Sequence, residues 1–221
     1  MNGQFIPFNQ AAVMEPAKLA ALQSLANQSQ MRNVFNALLG ALSCPGRCYP
    51  LPTNASRAEF TPTQQSCWWI AQALLDAEAT FFTPDATLGH ALTFTTARWS
   101  SPEMAAYHFY PDAYHFFPEL APLDAPQANL ASVRYASTGA MDPEQAATLV
   151  IACEFGRGIG LRLAGPGVPG HAKLSVAGIP SAFWQLRAEA VRYPLGWDIF
   201  LVDQDQVVGL PRTTKIFYMW D

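Results

Sequence analysis

The chain has 221 residues, of which 50% are hydrophobic and only 14% are charged. This composition excludes a disordered chain and a fibrous repeat, and no apolar stretch approaches the roughly 18 residues of a membrane span. The formal net charge of −4 excludes a basic footprint for nucleic acid or for an anionic membrane.

The N-terminal third predicts three helices. One covers 17–27, and a second begins at Ser29 as N-cap and carries a continuous apolar stripe at helical spacing. This second helix must end at Cys44, because the following proline disfavours helical geometry in the residue before it. A third helix is predicted from Thr63, as N-cap, to about Ala77. The stripe consists of Met31, Val34, Phe35, Leu38, Leu39 and Leu42.

The remainder predicts short strands, two further helices and, over 118–138, a proline-rich connection with a weak helix. Residues 146–153 are almost wholly apolar, as expected of a central strand that is buried on both faces. With no internal repeat and no linker, we predict a single α/β domain over residues 1–221. The other predicted elements are a strand at 80–82, a helix at 86–97, strand-like pieces on either side of Pro111, a glycine turn at 156–160, a strand at 159–163, a helix at 179–191 and strands at 197–202, 206–210 and 213–219.

The glycine cluster between Gly156 and Gly170 has two interpretations. Its backbone amides could cradle an anion. A dinucleotide loop, however, runs from a strand through a glycine turn into a helix, whereas here the glycines lead into the strand-like Leu161–Leu163. We therefore favour a tight hairpin in which glycines supply positive φ angles.

A metal site and an aromatic interface compete for the region around Pro111. His108, Asp112 and His115 stand at i, i+4 and i+7, a spacing that would bring them together on one face of a helix. The proline and the surrounding aromatic residues argue against a helix, and aromatic side chains are enriched at interfaces. We favour the interface and predict no metal.

No other pattern indicates catalysis. The three lysines, Lys18, Lys173 and Lys215, do not stand in contexts that suggest a pocket for a pyridoxal Schiff base. The four cysteines lack the spacing of a metal site, and without a secretory leader they indicate reduced, structural thiols in a cytoplasmic protein. The residues alone thus predict an oligomeric cytoplasmic protein with no catalytic residues and no cofactor.

Two C-terminal motifs carry a family resemblance. They are Tyr193-Pro-Leu-Gly-Trp-Asp198 and Leu210-Pro-Arg-Thr-Thr214, preceded by Gly160-Leu-Arg-Leu-Ala-Gly-Pro-Gly-Val168 and by the N-terminal Phe35-Asn-Ala-Leu-Leu-Gly-Ala-Leu-Ser-Cys-Pro-Gly-Arg47. Together they resemble PhnH, a subunit family of the bacterial carbon–phosphorus (C–P) lyase system. The family usually carries an arginine where this chain has Asn36, so no role of that arginine is transferred.

The resemblance implies a three-layer α/β/α sandwich with a mixed sheet, like the large domain of PLP-dependent transferases but without PLP. It also implies a homodimer in isolation and a core complex with PhnG, PhnI and PhnJ. That complex couples an alkylphosphonate to the ribose of a purine nucleoside triphosphate before the C–P bond is broken. The alternative is an independent enzyme or binding protein for a phosphorylated metabolite. The resemblance implies no catalytic residues.

The Arg212-Thr213-Thr214 segment is the candidate ligand-binding site. A guanidinium fork and two hydroxyl groups could bind phosphate or phosphonate oxygens. The competing interpretation is structural, with Arg212 paired to Asp198 or capping carbonyl groups at the edge of a strand. We favour the structural interpretation for Arg212 and retain the three residues as the candidate site.

Overall fold

A computed structural model describes residues 16–54, 57–112, 136–139 and 142–219. The described helices are α1 (Pro16–Ser43), α2 (Pro62–Leu74), α3 (Ala86–Leu92) and α4 (Ser181–Ala190), with a 3-10 turn at Pro143–Gln145. The described strands are β1 (Tyr49–Pro50), β2 (Thr80–Phe82), β3 (Arg98–Trp99), β4 (Tyr107–Tyr110), β5 (Thr148–Ala152), β6 (Glu154–Ala164), β7 (Ala172–Ala177), β8 (Asp198–Asp203), β9 (Gln206–Leu210) and β10 (Lys215–Tyr218).

Seven strands form a mixed sheet in the order β1-β9-β8-β5-β4-β2-β3. The five strands from β8 to β3 are parallel, whereas β9 and β1 are antiparallel to their neighbours. The strand predicted at 146–153 is β5, which lies fourth of the seven, and its residues 149–151 are fully buried. The α/β class with a mixed sheet is therefore confirmed.

The two faces of this sheet bury different partners. Along β5 and β8, Val150 and Phe200 point to a core shared with α1, α2 and α3. Leu149 and Leu201 point to the opposite core, which is closed by α4 and by a separate antiparallel sheet of order β10-β6-β7. The alternation follows from the period of two along a strand, and it explains why these strands are apolar throughout.

The first helix differs from the prediction in two ways. It runs unbroken through Ser29, because nothing there prevents helical geometry and serine is only mildly unfavourable inside a helix. Its C-terminal end at Ser43, by contrast, agrees with the prediction from the following proline. Only part of the predicted stripe is buried: Val34 and Leu38 are covered, whereas Phe35 and Leu39 are 50% and 56% exposed.

The second helix begins with a capping box two residues earlier than predicted. Thr61, not Thr63, is the N-cap, and its hydroxyl accepts the Gln64 backbone N–H at 3.2 Å. The Gln64 side-chain oxygen in turn accepts the Thr61 N–H at 2.9 Å. Pro62 fits the first helical position because its missing N–H would have no partner there.

The prediction of a glycine turn at 156–160 is wrong. Strand β6 continues through this segment with a register shift between Phe155 and Ile159, which is a bulge. The predicted positive φ values are confirmed, at +79° for Gly156 and +73° for Gly158. The hairpin lies at 165–171 instead, between β6 and β7.

Helix α1 approaches β9 closely at Gly209. A Cβ atom built on this residue would lie 2.5 Å from the carbonyl carbon of Ala41 and 2.7 Å from the Leu42 nitrogen. Backbone atoms cannot move aside as the end of a flexible side chain can. Glycine at this position therefore sets the distance between helix and sheet.

Candidate functional site

The candidate site is an open cleft of about 610 Å³ beside the small sheet. Its walls are one side of α4, from Trp184 to Ala188, and the segment 212–218, which leads into and forms β10. Three basic residues, Arg187, Arg212 and Lys215, line the cleft, and no acidic residue is among its described lining residues. The cleft therefore presents positive charge without a matching carboxylate on its wall.

Arg212 is held by protein groups. Its Nη2 lies 2.8 Å from Oδ2 of Asp198, and its backbone N–H donates to Oδ1 of the same carboxylate at 2.8 Å. The other terminal nitrogen donates to the carbonyl oxygens of Pro143 at 2.8 Å and Pro194 at 3.3 Å. This is the structural arrangement that the sequence offered as the competing interpretation.

The ion pair joins the two motifs that carry the family resemblance. Asp198 ends Tyr193-Pro-Leu-Gly-Trp-Asp198, and Arg212 is the centre of Leu210-Pro-Arg-Thr-Thr214. The first motif is fixed further by Trp197, whose indole N–H donates to the Ala136 carbonyl at 3.2 Å. The two motifs therefore act as one folded unit beside the cleft.

Thr213 and Thr214 complete the predicted ligand-binding set and also line the cleft. The Thr214 backbone N–H donates to the Pro211 carbonyl at 2.8 Å, which closes a tight turn. Thr214 is only 2% exposed, and its hydroxyl has no hydrogen-bond partner. The three predicted residues, which are consecutive in the chain, thus all line the cleft, and their binding of a ligand stays a prediction.

Arg187 is the cleft residue that sequence analysis missed. It lies on α4 and is 4% exposed, and its terminal nitrogens donate to the carbonyls of Pro211 at 3.2 Å and Thr214 at 3.3 Å. Burial lowers the pKa of its guanidinium to about 10, although the charge of Asp198 opposes that shift. The sequence did contain one indication that Arg187 is buried. It stands four residues after the buried Phe183 and three after the buried Trp184, a spacing that places it on the apolar face of the helix.

The residues considered for a metal do not form such a site in the described part of the chain. His108 is fully buried in β4, and its Nδ1 lies 3.1 Å from the Tyr110 hydroxyl. Asp112 is half-buried, and His115 lies outside the described residues. No group of three or more His, Cys, Asp or Glu residues is placed to hold a metal among residues 16–54, 57–112, 136–139 and 142–219.

His108 should make the folded state sensitive to acid. Burial lowers its pKa to about 4, below the roughly 6.5 of an unfolded histidine. Between these values the unfolded chain binds a proton that the folded chain does not, so stability falls as the pH falls from about 6.5 to 4. We expect the free energy of unfolding to fall by at most about 3 kcal/mol over this pH range, as measured by urea unfolding.

The matched variants are His108→Gln and His171→Gln, the latter changing an exposed histidine. His108→Gln should flatten the dependence of unfolding free energy on pH, whereas His171→Gln should keep it. An unchanged slope in His108→Gln would show that other groups cause the acid sensitivity.

The cysteines and lysines give no further site in the described residues. All four cysteines are free, and burial raises the pKa of the Cys67 and Cys153 thiols. Lys173 and Lys215 are exposed, and the Lys18 side chain lies outside the described residues. No described helix combines the length and apolar character needed to cross a membrane.

Comparison with known proteins identifies the family of the chain. Residues 20–217 match the family described as bacterial phosphonate metabolism protein (PhnH), which places the chain among proteins of phosphonate metabolism. A relative from Stutzerimonas stutzeri, named putative C-P lyase subunit protein HtxG, is 31% identical over 189 residues. That alignment covers 85% of this chain and 86% of the relative. The chain belongs to the PhnH family, as its two C-terminal motifs predicted.

Proposed function

We propose that the protein is a subunit of a C–P lyase core complex, in which it supports the transfer of an alkylphosphonate onto the ribose of a purine nucleoside triphosphate. The family match over residues 20–217 is the observation that carries this proposal. The name of its relative from Stutzerimonas stutzeri, a putative C-P lyase subunit, supports it. The partners would be PhnG, PhnI and PhnJ, the site of action the cytoplasm, and the isolated protein a homodimer.

The exposed apolar surface supports a protein that is covered by partners. On α1, Phe35 and Leu39 are 50% and 56% exposed. At the β3 edge of the large sheet, Trp99 is 61% exposed and Met104, just beyond it, is 73% exposed. Large apolar side chains and an open sheet edge are features that native proteins usually cover.

The arrangement of layers supports the PLP-transferase type of sandwich. The large sheet has α1, α2 and α3 on one face, and α4 with the small antiparallel sheet on the other, so helices lie on both faces as in an α/β/α sandwich. In this proposal the fold is retained without PLP, since neither of the two lysines with described side chains is buried. The protein would then contribute shape and contact surface to the complex.

Co-expression with PhnG, PhnI and PhnJ tests the proposal. We expect the chain to co-elute with these subunits in size-exclusion chromatography, and the chain alone to elute with the mass of a dimer in light scattering.

Two paired variants, Phe35→Ser with Leu39→Ser and Trp99→Ser with Met104→Ser, probe the exposed surfaces, and Arg157→Ser on the exposed bulge is the control. At least one paired variant should weaken co-elution, whereas the control should not. Separate elution of the wild-type chain, or turnover of a phosphorylated compound by the chain alone, would contradict the proposal.

A further inference from the structure

The cleft between α4 and residues 212–218 contains a buried positive charge that is in no ion pair among the described residues. Arg187 is 4% exposed, and none of the ion pairs among the described residues includes it. The carboxylate that acts on it through space, Asp198, is already bound to Arg212 at 2.8 Å. A buried ion with no close counter-ion is costly, so such a group is usually paired or binds a ligand.

Hydrogen-bond donors in the same cleft wall are also unused. The Nε of Arg187, the indole Nε1 of Trp184 and the hydroxyl of Thr214 are buried and have no hydrogen-bond partner. The residues that carry these atoms line the cleft, although Trp184 also packs in the core beneath it. Buried polar atoms in native proteins nearly always have partners, so the Thr214 hydroxyl and the Arg187 Nε favour a ligand that offers acceptor atoms.

The rim of the cleft continues the same electrostatic pattern. Lys215 is exposed there, whereas the charge of the second guanidinium, Arg212, is balanced by Asp198 at 2.8 Å. Arg187 and Lys215 belong to none of the ion pairs among the described residues, and no acidic residue is among the described lining residues, so the cleft favours a ligand that carries negative charge and several acceptor oxygens.

We propose that this cleft binds a tetrahedral oxyanion, a phosphate or phosphonate group, with Arg187 and Thr214 as its inner contacts and Lys215 at the rim. The ligand would supply both the counter-charge that Arg187 lacks and the acceptor that the Thr214 hydroxyl lacks. Because the terminal nitrogens of Arg187 also hold the carbonyls of Pro211 and Thr214, an anion there would fasten the turn as well. The oxyanion site does not depend on complex membership, and only the phosphonate alternative rests on the proposed function.

Binding to the isolated full-length chain tests this site. Titration calorimetry with inorganic phosphate and with methylphosphonate, at constant ionic strength, gives the affinity for each source of the oxyanion. Thr214→Val is the informative variant, because it removes only a hydroxyl that has no partner and should leave the melting temperature equal or higher. We expect about a ten-fold loss of affinity, the size of one charge-assisted hydrogen bond.

The two exposed lysines of the small sheet provide a matched pair. Lys215 lines the cleft from β10, whereas Lys173 lies on β7 and is not among the cleft residues. Lys215→Ala should weaken binding several-fold, and Lys173→Ala should bind as the wild type does. Arg187→Lys, which keeps the charge but loses the fork, should weaken binding by about ten-fold or more.

Three results would overturn the proposal. The first is no binding of either anion by the wild type at millimolar concentration. The second is unchanged affinity in both Thr214→Val and Lys215→Ala. The third is weaker association of these variants with PhnG, PhnI and PhnJ while the isolated wild-type chain binds no anion, which would identify a partner's carboxylate as the acceptor. Failure of the proposed function alone would leave anion binding by the isolated chain intact.

Discussion

Replacing Gly209 with alanine should lower the free energy of unfolding by about 3 kcal/mol or more. The added methyl group would lie 2.5 Å from the Ala41 carbonyl carbon, where only backbone atoms are available to move. Relieving that overlap requires α1 to shift away from β9 and to open the core beneath it. The lower entropy of the unfolded alanine chain offsets only about 1 kcal/mol of this cost. For a chain of this size we expect a fall of about 6–12 °C in melting temperature.

A substitution at a second glycine serves as a control that distinguishes steric overlap from backbone strain. Gly170 has a φ of +70°, and a Cβ atom there would meet nothing within 4 Å. Gly170→Ala should therefore cost only about 1–2 kcal/mol, from the left-handed backbone alone. Urea unfolding of both variants measures the difference. Equal destabilisation of the two would show that α1 is not held against β9 at Gly209.

Among the ion pairs of the described residues, the one between Asp198 and Arg212 should contribute most to stability. The two side chains are 25% and 17% exposed, and removal of one leaves the other partly buried without its partner. We expect Arg212→Ala and Asp198→Ala each to cost about 2–3 kcal/mol, and a double-mutant cycle to give a coupling of about 2 kcal/mol. Arg212→Lys should restore little, because an ammonium group cannot reproduce the guanidinium fork.

An exposed pair provides the control for this cycle. Arg157 and Glu154 lie 3.5 Å apart with side chains that are 79% and 62% exposed. Their coupling should not exceed about 0.5 kcal/mol. If Arg212→Ala instead keeps the melting temperature of the wild type and weakens phosphate or methylphosphonate binding, the predicted ligand-binding role of Arg212 is supported and the structural one is wrong.

Local signals predicted most of the elements of this fold. The continuous apolar run predicted β5, and the proline after Cys44 predicted the end of α1. The errors arose where a local pattern had two structural solutions. A glycine pair at positive φ fits a hairpin or a bulge, and only the pairing with β7 selects the bulge at Gly156 and Gly158. Likewise, the helical stripe could not show that Phe35 lies beyond the face that meets the sheet.

The candidate site was only half predictable for a related reason. Arg212, Thr213 and Thr214 are adjacent in sequence, so their motif was visible as a unit. Arg187 belongs to another element and becomes part of the cleft only when α4 packs beside the turn at 211–214. Its one sequence signal, a cation at an apolar helical position, has no meaning until the packing of α4 is known. The pairing of Arg212 with Asp198 could be named in advance only as one of two alternatives.

The contact between α1 and β9 also has a consequence for how the protein is made. The helix is complete at residue 43, but the strand that receives it begins at residue 206. While the ribosome is still adding the intervening chain, α1 can pack against α2, but the part of its apolar side that faces β9 stays uncovered. Contacts between residues so distant along the chain form late and slowly, and until they form the nascent chain exposes apolar surface that is prone to aggregation. The nascent chain should therefore depend on binding by chaperones until its last strands have left the ribosome.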